Sequence, residues 1–172
     1  MIRTSLIFAL IVFMFTFSFQ HKIIRDLDSS SLDLFIAQAS EWLIEDDFGV
    51  VEDTSRITDC IIMQILGGFN VGRTGVEMTK TYHDLPPHNT IHFQIVIYYL
   101  DGWNDQAVNI HMDSTSFTTS SVTWDQWRFK WSLCGNEKFD YYLTYFGILP
   151  HFQSDLTVRI DSNLYQSTDV AS

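Results

Sequence analysis

The chain has 172 residues and a formal net charge of −11, from 21 acidic and 10 basic side chains. A surface that acidic repels phosphate backbones, which excludes nucleic acid as a partner class and favours cations such as Ca²⁺. No basic cluster suited to anionic lipid is present.

The first stretch, "MIRTSLIFALIVFMFTFSFQHK", has one basic residue, Arg3, followed by an unbroken apolar run from Leu6 to Phe15. Thr16 and Ser18 are small enough for the −3 and −1 positions of a signal-peptidase site, so residues 1–18 read as a secretory signal peptide. A membrane-spanning helix needs about 20 apolar residues, and this run is shorter. The expectation is a secreted or extracellular-surface protein that meets a membrane only through the secretory pathway or an uncleaved N-terminal anchor. Taking 18 from 172 leaves 154 residues, 19–172, enough for one domain with a core of its own.

Over residues 31–45, Leu32, Phe35, Ile36, Ala39 and Leu43 fall at helical spacing behind a potential N-cap, Ser31. The same segment also fits a loop leading into a strand around Trp42, and both readings stay open. The acidic run at 45–47, with Glu52 and Asp53, reads as a solvated face. Cys60 and Cys134 are an even pair in an oxidising compartment. Their pairing would close a loop of 74 residues, stabilising by about 4 kcal/mol, against two buried free thiols as the alternative. "GGFNVGRTG" lacks the ending of a phosphate loop and leads into a strand pattern, so its glycines serve a wide loop needing positive φ.

From Val71 onward the apolar residues favour a period of two. Phe93, Ile95, Ile97 and Tyr99 share one face while Val96, Tyr98 and Leu100 thicken the other, which predicts a central strand. "DGWND" then reads as a turn, and Val108, Ile110 and Met112 alternate in a following strand, predicting an antiparallel hairpin. Further strands are predicted over Trp127–Leu133, over "KFDYYLTYFGIL", and over Leu156–Ile160. Several short strands without helices between them argue for an all-β antiparallel sandwich of jelly-roll type, with one short N-terminal helix as the open element.

His88 and His92 invite a zinc reading. Pro86-Pro87 and the strand pattern rule out a helix, and strand spacing sets the two too far apart to share one ion. They read as turn and strand-edge residues. The acidic turn is the better candidate: Asp101, Asn104 and Asp105, with Asp113 at the end of the next strand, supply the hard oxygen ligands that Ca²⁺ takes. Ordinary turn chemistry explains the same residues. Trp103, at that turn between polar neighbours, suits ligand contact by stacking on a sugar ring or docking a partner. The chain shows no nucleophile elbow and no paired carboxylates placed in a cleft, so no catalytic constellation is read and no catalytic residue is assigned.

Taken in order, Gly67–Asn70, Thr79–Tyr82, Leu85–His88 and Asp101–Asn104 form a series: G-G-[FY]-N, T-K-x-[FY], L-P-P-H and D-x-W-[DN]. This series resembles a domain recurring in ciliate extracellular and surface proteins, and "DLTVRIDSNLYQSTD" looks like that family's late strand. The similarity covers roughly residues 60–169. It implies a β-sandwich in secreted or membrane-tethered proteins and no established catalysis. The family's usual final strand has no counterpart here, which implies an exposed edge and one of three cases: a shortened family member, an incomplete gene sequence or a protomer completed by a partner strand.

The sequence therefore predicts a secreted, non-enzymatic recognition or adhesion module, Ca²⁺-dependent and lectin-like, whose partner is an extracellular glycan or protein. A purely structural or truncated surface protein is the alternative, and a glycoside hydrolase a distant third.

Overall fold

A computed structural model describes residues 24, 26–27, 31–51, 56–60, 63–67, 75–100, 107–121 and 141–162. Among these, no helix is long and apolar enough to cross a membrane. The segment 1–18 and the strand expected over Trp127–Leu133 lie outside the described residues.

Both readings of residues 31–45 are realised, one after the other. Helix α1 runs over Leu32–Ala39, capped by the extended Ser31, whose hydroxyl accepts the Leu34 N–H. Strand β1, Leu43–Asp46, follows after a short turn. Of the expected apolar face, Phe35 and Ala39 are buried, while Leu32, Ile36 and Leu43 are exposed. An eight-residue helix is only about 12 Å long, and a single i, i+4 pair fills its contact.

The remaining strands are β2 (Gly49–Val50), β3 (Ile57–Asp59), β4 (Gln64–Leu66), β5 (Glu77–Tyr82), β6 (Thr90–Tyr99), β7 (Val108–Met112), β8 (Thr115–Thr118), β9 (Tyr141–Pro150) and β10 (Leu156–Ser162). Among the described residues they form a six-stranded sheet ordered β2-β1-β5-β10-β7-β8, a β3–β4 hairpin and a β6–β9 ribbon, with every pairing antiparallel. The alternation legible in the sequence fixes which way each strand faces. Val108, Ile110 and Met112 stand beside Val158 and Leu156 on the inner face of the large sheet. Ile91, Phe93, Ile95, Ile97 and Tyr99 of β6, with Leu143, Tyr145 and Leu149 of β9, pack against them from the opposite side. The molecule is an all-β sandwich, and its core lies between these two faces.

One expected pairing is overturned. β6 and β7 do not form a hairpin: β6 pairs along its whole length with β9, and β7 lies in the other sheet between β10 and β8. An Asp-Gly pair signals a reversal, but it does not choose the partner strand. Here the chain crosses from one face of the core to the other. The tight hairpin turn is instead Asp113-Ser114, where Met112 pairs with Thr115 and Asp113 takes φ +49°. Primed hairpin turns need positive φ at that first central position, which Asp tolerates better than most residues. β6 is not flanked on both sides either: among the described residues β9 is its one neighbour.

Lys80 of β5 points into the core, opposite Val158, with 6% of its surface exposed. A buried ammonium needs partners, and an N-terminal strap supplies one. Asp26 Oδ2 accepts hydrogen bonds from Lys80 Nζ at 2.9 Å, from the Tyr82 hydroxyl at 2.6 Å and from Trp42 Nε1 at 3.1 Å. Glu41 adds a second carboxylate 2.9 Å from Lys80, and the Tyr82 ring lies beneath the cation. Burial first, and then the bond to Asp26, pushes the Tyr82 hydroxyl well above the usual tyrosine range, so it stays a donor.

Candidate functional site

Of the residues the sequence nominates, Asp101, Trp103, Asn104 and Asp105 lie outside the described residues, as does Cys134. Cys60 follows β3, and no free cysteine occurs among the described residues. Asp113 is described, and both of its carboxylate oxygens are engaged by neighbouring groups. Its Oδ1 accepts the Thr157 N–H at 2.9 Å, its Oδ2 lies 2.9 Å from His151 Nε2, and its own N–H donates to the Thr157 carbonyl. Asp113 thus ties the β7–β8 turn to β10, and the residues nominated beside it as metal ligands lie outside the described residues.

His151 carries this contact further. It is 3% exposed, directly follows β9, and its Nδ1 lies 2.6 Å from Nε2 of His88, which precedes β6. His88 Nδ1 in turn reaches the Pro86 carbonyl at 2.6 Å. The result is a line, Pro86–His88–His151–Asp113, in which each group points at the next. Zinc needs ligands converging on one point. Among the described residues no cluster of three or more His, Cys, Asp or Glu is placed to hold a metal. The expectation that His88 is a turn residue describes its position and misses its partner, 63 residues away in sequence. The pairing of Thr90 with Pro150 brings the two together, and periodicity within one strand cannot show that.

The outer face of the large sheet is polar and cross-bonded. His111 Nδ1 lies 2.8 Å from Ser116 Oγ and its Nε2 lies 2.7 Å from Asp161 Oδ2, while Asn109 donates to Asp161 Oδ1 at 2.7 Å. The connectivity is that of a Ser–His–Asp triad, and the surroundings are not. The Arg159 guanidinium competes for the same Nε2 at 3.0 Å, and the group sits on an open face of paired strands rather than in a cleft. Cross-strand polar pairing of this kind stabilises a sheet face. A cavity of about 250 Å³ lies elsewhere, against the β3–β4 hairpin, lined by Leu32, Asp59, Cys60, Met63 and Gln64.

The β6–β9 ribbon presents the most distinctive surface. Its outward row on β9 is Tyr142, Thr144, Phe146 and Ile148, paired across to Tyr98, Val96, Gln94 and His92 of β6. Phe146 is 73% exposed, Ile148 64%, Tyr142 55% and Val96 42%, and the nearby Phe152 is exposed as well. Tyr98 and Tyr142 lie ring against ring, with centroids 5.8 Å apart. Burial, and then the neighbouring Tyr142, raises the Tyr98 hydroxyl. Scattered surface apolar residues are ordinary, whereas here exposed aromatic and aliphatic side chains are gathered on one face of two paired strands. The signal was present in the sequence as a strand aromatic on both faces. Alternation alone does not say which of two apolar faces is left open, and the central position expected for β6 places both of its faces in the core.

The chain matches no protein-family model, and no curated protein matches it.

Proposed function

We propose that this chain is a secreted, non-enzymatic recognition or adhesion module, a jelly-roll-type sandwich that holds its ligand on the outer face of the β6–β9 ribbon. The supporting observation is the exposed row Tyr142, Phe146, Ile148 and Val96, with hydrogen-bonding Gln94, Thr144 and His92 set among the apolar side chains. Flat aromatic rings beside amide and hydroxyl groups suit a sugar, which offers both apolar ring faces and hydroxyls. The ligand class is accordingly an extracellular glycan. The order of short motifs from Gly67 to Asn104 supports placing the chain with the ciliate surface domains it resembles. Cys60 and Cys134 pair in this reading, supported by the absence of a free cysteine among the described residues. The turn Asp101–Asp105 supplies Ca²⁺ ligands and Trp103 a further contact.

One experiment tests the reading: binding of the secreted chain to an immobilised glycan panel, with Ca²⁺ and with chelator. The Tyr142→Ala, Phe146→Ala double variant is run beside it, its folding checked by circular dichroism. Loss of about 0.5–1.5 kcal/mol per stacked ring, roughly tenfold in affinity for the two together, is expected. Binding that survives in the folded double variant removes the ribbon face from the account. Binding indifferent to chelator removes Ca²⁺ alone.

A further inference from the structure

We propose that Lys80 and Asp26 are the reactants of an intramolecular isopeptide bond, with Glu41 as the proton acceptor, so that the N-terminal strap becomes covalently joined to β5. These groups have no part in recognition at the ribbon face. The Lys80 side chain is 6% exposed and that of Asp26 14%. Nζ lies 2.9 Å from Asp26 Oδ2 and 2.9 Å from Glu41 Oε2. A carboxyl C–O bond is about 1.2 Å, so Nζ is no farther than about 4.1 Å from Cγ of Asp26. Reacting atoms about 3–3.5 Å apart are in position for attack. A small swing of the unbranched lysine stem carries the nitrogen from the edge of the carboxylate to its face.

Three features separate this contact from an ordinary ion pair. A second carboxylate touches the same nitrogen, so the ammonium hands a proton to Glu41 while it still faces Asp26. The two Asp26 oxygens are held differently. Oδ1 accepts the Leu27 N–H at 3.0 Å, while Oδ2 accepts the Tyr82 hydroxyl at 2.6 Å and Trp42 Nε1 at 3.1 Å. Burial first, and then the bond to Asp26, keeps Tyr82 protonated as a donor. Finally, the Trp42 and Tyr82 rings lie 6.0 and 5.1 Å from Nζ. They shield from bulk water a reaction that releases water, and the amide removes two buried charges whose desolvation is costly.

The step balances without a co-reactant. Glu41 Oε2 takes one proton from the Lys80 ammonium, and the freed lone pair attacks Cγ of Asp26 to form the C–N bond. The Leu27 N–H faces Oδ1, where negative charge collects. A second proton leaves the nitrogen, and both are delivered through Glu41 to Oδ2. The Cγ–Oδ2 bond then breaks and Oδ2 departs as water. One hydrogen stays on the amide nitrogen, Glu41 is a carboxylate again, and nothing is oxidised or reduced. Glu41 is 62% exposed, which leaves the water a way out on its side. Until it reacts, the pair is a buried ion pair, and Glu41→Gln holds it in that state. Afterwards β5, set between β1 and β10, carries the strap through a bond that spans 54 positions of chain.

The test is peptide mapping by mass spectrometry of the purified, folded chain after prolonged incubation at neutral pH, wild type beside Lys80→Arg, Asp26→Ala and Glu41→Gln. Trypsin cutting after Arg25, Arg56, Arg73 and Lys80 releases 26–56 and 74–80 separately from an unlinked chain. A linked chain resists cutting at Lys80 and yields a branched peptide, 26–56 joined to 74–128, lighter than the two together by one water. The expected result is that branched peptide in the wild type, none in Lys80→Arg or Asp26→Ala, and formation slowed about 100-fold in Glu41→Gln. The wild type decides by itself, whether or not the variants fold. Folded wild-type chain that yields only the separate peptides overturns the proposal. Linkage in Glu41→Gln at the wild-type rate overturns the role given to Glu41.

Discussion

At the scale of single residues, Lys80 shows how a core position can carry a charge. Its cross-strand neighbours are apolar, and the fold tolerates it because Asp26, Glu41, Trp42 and Tyr82 enclose it. Removing one partner of such a pair leaves a buried charge behind, so Asp26→Ala is expected to cost about 3–5 kcal/mol by urea denaturation. Replacing Lys80 by Met in the same background should recover most of that loss, because a buried ion pair exchanged for apolar groups is close to neutral. A double variant no better than Asp26→Ala would show that the strap acts by some other contact. Nothing local in the sequence marks Asp26. Its partner lies 54 positions away, and periodicity carries no information at that range.

At the scale of elements, strand alternation was the legible part. The inner rows of β6, β7 and β10 follow the spacing of Phe93–Tyr99, Val108–Met112 and Leu156–Ile160, because a period of two leaves one choice once one face is buried. Pairing was not legible. The turn signal of the Asp101-Gly102 sequence could not say that β6 would meet β9, and the Asp113-Ser114 turn has no glycine to announce it. Gly147 shows how closely β6 and β9 fit. It stands opposite Phe93, and a Cβ there would run into the Phe93 ring. Gly147→Ala is therefore expected to destabilise by about 1–3 kcal/mol through overpacking, measured by chemical denaturation. An unchanged midpoint would mean that Phe93 does not lie across β9.

At the scale of the whole molecule, composition and strand count were sufficient for an all-β sandwich, since aromatic alternating runs without helices have few other ways to bury a face. The surface that carries the proposed function was hidden by that same logic. Aromatic residues on both sides of a strand suggest burial on both sides, and only the exposure of Val96, Tyr142, Phe146 and Ile148 shows the second side facing out. Asp113, nominated as a ligand from its place after an apolar strand, also joins the hydrogen-bonded end of the sandwich through His151 and Thr157, contacts that strand periodicity does not reveal. The central claim is that the ribbon's outer face is open to solvent in the folded protein. Hydroxyl-radical footprinting of the purified chain, read residue by residue by mass spectrometry, tests it most directly. The account expects rapid labelling at Phe146 and Tyr142 with protection at Tyr99 and Met112, which lie fully buried. Protection of Phe146 and Tyr142 at the level of Tyr99 would contradict it, because the face would then already be covered and could hold no ligand.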